Sequence, residues 1–154
     1  MDLTASGQNH IPAPPATVWA FLQDPEQVAR CLPEVRDVRP VDAHHADAAV
    51  QVGAGLLRGQ LRLRLTLEPD EAQGLVRVHV QGGGLGSTVT LRAEARVVDR
   101  GDGHSRLDWQ GRAELSGPVT RLGARQLDAQ AQRLVVRTFQ TVSARISAAS
   151  GTLA

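Results

Sequence analysis

Apolar and polar residues alternate with period two through most of this chain. A short proline-punctuated stretch lies near the start, and the end turns helical. Residues 2–11 set Leu3, Ala5, Gly7, Asn9 and Ile11 on one parity and Asp2, Thr4, Ser6, Gln8 and His10 on the other, which predicts a strand. Pro12, Pro14 and Pro15 stop it, because proline cannot donate to a ladder. Pro15 suits the first turn of a helix, and Val18, Trp19, Phe21 and Leu22 give that helix a bulky apolar face. Asp24-Pro25-Glu26 restarts a second short helix, with Asp24 as cap and Pro25 at the first helical position; it carries Val28 and Ala29 and ends near Cys31-Leu32-Pro33.

From residue 35 the period is two. Residues 35–42 and 46–54 read as a hairpin joined near Ala43-His44-His45. In 58–68, Leu61, Leu63, Leu65 and Leu67 oppose Arg62, Arg64, Thr66 and Glu68. In 74–81, Val76, Val78 and Val80 oppose Arg77, His79 and Gln81. Val89, Leu91, Ala93, Ala95 and Val97 form the apolar parity of the next strand, and Leu107, Trp109, Gly111, Ala113 and Leu115 that of the last. Turn signals separate these runs at Pro69-Asp70, Gln73-Gly74, Gly82-Gly83-Gly84 and Gly101-Asp102-Gly103. One apolar and one charged parity predict an antiparallel sheet covered on one side. From Pro118 to Ala149 the period becomes helical, with Leu127, Ala131, Leu134, Val135, Thr138, Val142 and Ile146 in one stripe. A helix of about 30 residues spans roughly 45 Å, so it must lie along the whole sheet.

The predicted fold class is α+β: a curved antiparallel sheet of about seven strands around a long C-terminal helix, closed at one end by the two short helices after strand 1. This is a helix-grip arrangement. Residues 1–149 are expected to form a single domain, with residues 150–154 as a frayed tail.

Composition narrows the function classes. The chain has 154 residues, 42% apolar, with a net charge of +1. Every one of its 17 basic residues is Arg, so a Schiff-base lysine and a phosphate-loop lysine are excluded. The near-neutral balance and 3% aromatic content argue against a nucleic-acid partner. Cys31 is the one cysteine, which rules out an intrachain disulfide and a multi-cysteine zinc site. The N-terminus lacks the basic and apolar regions of a secretion signal, and no apolar run reaches the roughly 20 residues of a membrane span. A cytoplasmic location is expected, and no metal or organic cofactor is called for.

Candidate chemistry is sparse. The Gly82–Ser87 run lacks the Gly-Lys-Ser/Thr ending of a phosphate cradle and precedes a strand, so it reads as a strand connection or bulge at a cavity rim. Adjacent His44 and His45 point to opposite faces in a strand, which suits a solvated hairpin tip better than a chelate. Cys31 reads as a small buried residue, and Arg125 with Asp128 as a helix-surface pair. Asn9 is a polar group on an inward parity and could orient a ligand carbonyl. Small inward residues are the strongest hint of a cavity: Ala93, Ala95, Gly111 and Ala113 face Ala131 on the helix, and either leave space or permit tight helix-on-sheet packing.

Ile11-Pro12-Ala13-Pro14-Pro15 through Val18-Trp19-Ala20-Phe21-Leu22, Asp24-Pro25-Glu26 and Cys31-Leu32-Pro33 resemble the opening of the carbon monoxide dehydrogenase CoxG family. Val52-Gly53-Ala54-Gly55 with Arg58-Gly59, Gly83-Gly84-Leu85-Gly86-Ser87, and Leu122-Gly123-Ala124-Arg125 with Leu127-Asp128 and Phe139 resemble its later turns and last helix. The resemblance implies the SRPBCC (START-like) superfamily, whose members hold apolar ligands between sheet and helix. It also implies an accessory role beside a molybdenum carbon monoxide dehydrogenase or related hydroxylase, connecting it with membrane and quinone. Many members carry a membrane-binding C-terminal extension; this sequence stops soon after the helix, so no integral membrane segment is expected.

The expected function is therefore non-enzymatic binding of a lipophilic ligand, a quinone or a lipid. The expected cavity lining is Leu63 and Leu65, Val78 and Val80, Val89, Leu91 and Ala93, Leu107, Trp109, Gly111 and Ala113 from the strands, with Leu127, Ala131, Leu134 and Thr138 from the helix. The alternatives are a small cyclase or dehydratase on the same fold, or a protein-interaction module. Against the enzyme stands the absence of Tyr and the outward parity of the strand carboxylates.

Overall fold

The computed structural model describes residues 2–32, 34–54, 57–118, 133 and 136–148. Strand β1 (Asp2–Ile11) leads through the proline segment to α1 (Pro15–Leu22) and α2 (Pro25–Ala29). Six strands follow: β2 (Val35–Pro40), β3 (His45–Ala54), β4 (Leu57–Asp70), β5 (Leu75–Gly84), β6 (Ser87–Gly101) and β7 (His104–Ser116). A last helix, α3, covers residues 136–148. The strands form one antiparallel sheet in the order β1-β7-β6-β5-β4-β3-β2. Each strand after β2 pairs with its sequence neighbour, and β1 closes onto the last.

Local chemistry explains the element ends. Pro15 starts α1, and the Asp24 carboxylate caps α2 by accepting from the backbone N–H of Glu26 at 3.1 Å and of Gln27 at 3.3 Å. The β6–β7 hairpin turns on Asp102-Gly103, both at positive φ, the two-residue turn whose twist matches its flanking strands. That tightness carries β6 to Gly101 and starts β7 at His104, where the sequence pattern stopped at 97 and resumed at 106. The glycine run corrects the sequence reading in the same way. Gly82, Gly83 and Gly84 are not the connection but the end of β5, paired to β4 and β6. The turn is Leu85-Gly86, again with both φ positive. Glycine is required because the neighbouring backbones press in: a Cβ at Gly82 would collide with the Arg62 carbonyl oxygen.

The inner face packs against α1, α2 and α3. Ile11, Val18, Leu65, Leu67, Val76, Leu107 and Ile146 are almost wholly buried in one cluster. Where β1 turns toward α1, the Ser105 hydroxyl donates to the buried Ala13 carbonyl at 2.7 Å, which satisfies a loop group that would otherwise lie unpaired in the core. Val142 and Ile146 of the predicted helical stripe are buried. Leu127, Ala131, Leu134 and Val135, the Arg125 and Asp128 pair and the tail 150–154 lie outside the described residues.

Candidate ligand cavity between sheet and helix

Strand register sorts the inner face into rows across β1, β7, β6 and β5. One row reads Gly7, Trp109, Ala95, Val76; the next Ala5, Gly111, Ala93, Val78; the next Leu3, Ala113, Leu91, Val80. The middle row has alanine or glycine on three adjacent strands. Side chains that short cannot reach α3, and a cavity of about 110 Å³ remains there. Its sheet wall is Leu3 and Ala5 of β1, Leu65 of β4, Val78 and Val80 of β5, Leu91, Ala93 and Ala95 of β6, and Trp109, Gly111 and Ala113 of β7. Leu22, Val28 and Leu32 close one side, and Thr138, Phe139 and Val142 of α3 lie across it.

Trp109 is the largest wall residue. Its indole lies over Gly7, where a Cβ would come within 2.5 Å of the ring, so only glycine leaves it room. The indole N–H donates to the Asn9 side-chain oxygen at 2.9 Å. Asn9, the polar group on an inward parity, fixes the Trp109 ring. Phe139 stacks on Trp109, with ring centroids 4.4 Å apart and planes 7° from parallel. Gly111 has room for a Cβ by contrast: its nearest neighbour would be Ala93, at an ordinary contact of 3.4 Å.

Of the expected lining, Leu65, Val78, Val80, Leu91, Ala93, Trp109, Gly111, Ala113 and Thr138 lie at the cavity. Three described residues do not. Leu107 sits one row away, fully buried in the packed cluster. Val89 and Leu63 lie one row beyond the cavity on the other side, in register with Gly82. Alternation gives the face of a residue but not the row at which a helix stands off. Leu127, Ala131 and Leu134 fall outside the described residues. Missed were Leu3, Thr4 and Ala5 of β1 and Ala95 of β6, and Leu22, Val28, Leu32, Phe139 and Val142, which no strand pattern could nominate.

The cavity is built for apolar contact. Among its described lining, Thr4 and Thr138 carry the hydroxyls and no side chain is ionisable. Cys31 lies buried nearby in the core; its thiol donates to the Gln27 carbonyl at 3.3 Å, and burial pushes its pKa up to about 11 against the opposing pull of Arg145. Among the described residues no cluster of three metal-ligating side chains occurs. His44 lies in the β2–β3 connection and His45 opens β3: Asp42 accepts from the His44 N–H at 2.8 Å and pairs with His45 Nδ1 at 2.7 Å, bonds that hold its carboxyl below the usual range. The outer face carries a wider, open groove of about 990 Å³, but it is paved with charges such as Arg77, which reaches both Asp70 and Glu94.

The model of the CoxG family, described as a carbon monoxide dehydrogenase subunit, matches residues 7–147. No curated protein sequence matches. Solved structures are similar over nearly the whole chain. A conserved protein from Geobacillus kaustophilus has a TM-score of 0.80 at 19% identity, covering 94% of this chain and 95% of that one. A START superfamily protein from Mycobacterium smegmatis has 0.67 at 15%, covering 98% and 99%. The Zhui aromatase/cyclase from Streptomyces sp. R1128 has 0.66 at 14%, covering 95% and 94%. At these identities the likeness establishes the fold, a START-like helix grip.

Proposed function

Because this chain belongs to the carbon monoxide dehydrogenase CoxG family, we propose that it is a non-enzymatic accessory protein that holds a lipophilic molecule, a quinone or a lipid, between sheet and helix. Its client on this reading is a molybdenum hydroxylase of the carbon monoxide dehydrogenase type, and its place the cytoplasm. Among the described residues no helix is long and apolar enough to cross a membrane. The observation that carries the reading is the row Ala5, Gly111, Ala93, which leaves an apolar void beside a stacked Trp109–Phe139 pair.

Size sets how a ligand enters. An apolar cavity of about 150 Å³ holds a benzene, so 110 Å³ takes a short alkyl segment, and a ring must displace a wall group. Phe139 is that group. It is half-buried, it comes from the helix and not the sheet, and what it stacks on is a flat indole that a ligand ring could take over. Burial of ligand surface contributes about 25 cal/mol per Å². The expected lining residues, Leu63, Val89 and Leu107 apart, are the contacts on this reading, with Leu127, Ala131 and Leu134 as further contacts from the helix.

Mass spectrometry of an organic extract of the purified protein tests the proposal. A stoichiometric quinone or lipid supports it, as does binding of a fluorescent apolar probe that Ala93→Leu abolishes. A second reading has one observation in its favour, the likeness to an aromatase/cyclase. It requires a proton-transfer group on the wall, and the described lining has no ionisable side chain; its Thr4 and Thr138 hydroxyls can only hydrogen-bond and orient a substrate. Turnover of a cyclisable polyketide analogue that is lost in Thr138→Val would replace the carrier by an enzyme.

A further inference from the structure

The sheet has two free edges, and they are built differently. The β2 edge is only six residues long and carries Arg36, Arg39 and a terminal Pro40. Its register with β3 breaks between Arg36 and Arg39, and Glu34 and Asp37 take positive φ. Shortness, cations, proline and a bulge are the devices by which an edge refuses another strand. The β1 edge has none of these along its length. It runs ten residues without proline, lysine or arginine, and its register with β7 is unbroken from Asp2↔Glu114 to Ile11↔Ser105. Among the described residues, β7 is the one strand it pairs with.

We propose that the β1 edge is the site at which a second copy of this chain adds, β1 pairing antiparallel with β1 of the other copy about a two-fold axis at Ser6. The sequence of the strand is self-complementary in that register. Asp2 falls opposite His10 of the second copy, Thr4 opposite Gln8, and Ser6 opposite Ser6. All are on the outer, solvent-facing parity, where Asp2, Thr4, Ser6, Gln8 and His10 are exposed. The Asp2 carboxylate, which Arg112 already holds within its own chain, meets at each end an imidazole that already bonds His104, and hydroxyls and an amide meet between them. The inner parity places Ala5 opposite Gly7, small residues that do not disturb the Trp109 ring over Gly7. A two-fold contact of this kind is isologous and closes at two copies. It uses the outward backbone groups of β1, on the order of ten hydrogen bonds for a strand of this length. Because Leu3, Thr4 and Ala5 also bound the cavity, the two cavities would flank the seam on the same face of one continuous sheet.

Sedimentation of the full chain from micromolar to sub-millimolar concentration tests this, with a cross-linking variant to fix the register. The expected result is a monomer–dimer equilibrium. Ser6→Cys gives a disulfide-linked dimer on mild oxidation, which cannot arise through the buried Cys31, and Ser6→Lys, which sets like charges opposite one another, shifts the chain to monomer while its circular dichroism stays that of the parent. A chain that is monomeric throughout the range overturns the proposal. So does a dimer indifferent to Ser6→Lys, or one in which Ser6→Cys does not cross-link, since either places the contact on another surface.

Discussion

Two rows of the inner sheet face behave in opposite ways. Leu107 belongs with Ile11, Val18 and Ile146 to a cluster with almost no exposed surface. Two rows away, Ala5, Gly111 and Ala93 stop short of the helix and leave a void. Backbone pairing is regular through both. The difference is side-chain volume alone, and α3 converts it into a gradient: Ile146 is fully buried at the packed end, while Thr138 and Phe139 lie over the void. Side-chain volume thus decides, along the same strands, where the helix packs closely and where a void remains.

The largest expected effect breaks the packed end. Leu107→Ala should cost about 2–5 kcal/mol in urea unfolding, as a fully buried truncation does. A loss below about 1 kcal/mol would mean that the Leu107 row is no better packed than the cavity row, and the contrast would disappear.

Cys31 sharpens the same end by pH. Its folded pKa of about 11 lies above the ordinary 9.0, so the folded state holds its proton more tightly than the unfolded chain. The stabilisation is complete below pH 9 and is lost as pH rises from 9 toward 11, a fall of about 2–3 kcal/mol. The chain has no Lys and no Tyr, so Cys31 is the side chain that titrates in this window. Cys31→Ala should flatten the profile of stability against pH between 9 and 11; an equally steep fall in the variant would assign the effect elsewhere.

The cavity row responds to added volume, not to its removal. Ala93→Leu should change stability by less than about 1 kcal/mol while abolishing binding of an apolar fluorescent probe. A close-packed site would lose about 1–3 kcal/mol through overpacking. The smallest effect lies on the outer face. Arg64 grips Asp47 with bonds of 2.8 and 3.0 Å and holds its carboxyl below the usual range, yet both side chains are about half exposed. Arg64→Gln should leave the melting temperature within experimental error, and added salt should leave it there in the parent as well.

Much of this was legible in the residues. Alternation alone separates Leu61–Leu67 from Arg62–Glu68, and Val76–Val80 from Arg77–Gln81, which fixes the covered and the solvent face of the sheet. Asp24-Pro25 announces its helix because the cap is a local interaction. The small residues Ala93, Gly111 and Ala113 point to the void before any coordinates do. What misleads is anything that depends on row and not on parity. Leu107, Val89 and Leu63 share the face of the cavity wall but not its position along the strands, and Asn9 finds its partner a hundred residues away in Trp109.

Residues a few positions apart are enough to set the periods, the helix caps and the strand faces. Composition likewise settles part of the chemistry this chain withholds: no lysine and no intrachain disulfide. Other features exist only once distant segments meet. They include the row from which the helix stands off, and the seal that Phe139 makes against Trp109. They include the Gly82–Gly84 strand end squeezed between two neighbours, and the contrast between a guarded sheet edge and an open one. Each depends on groups far apart in the chain, whose distances are set by how the whole sheet curls around the helix.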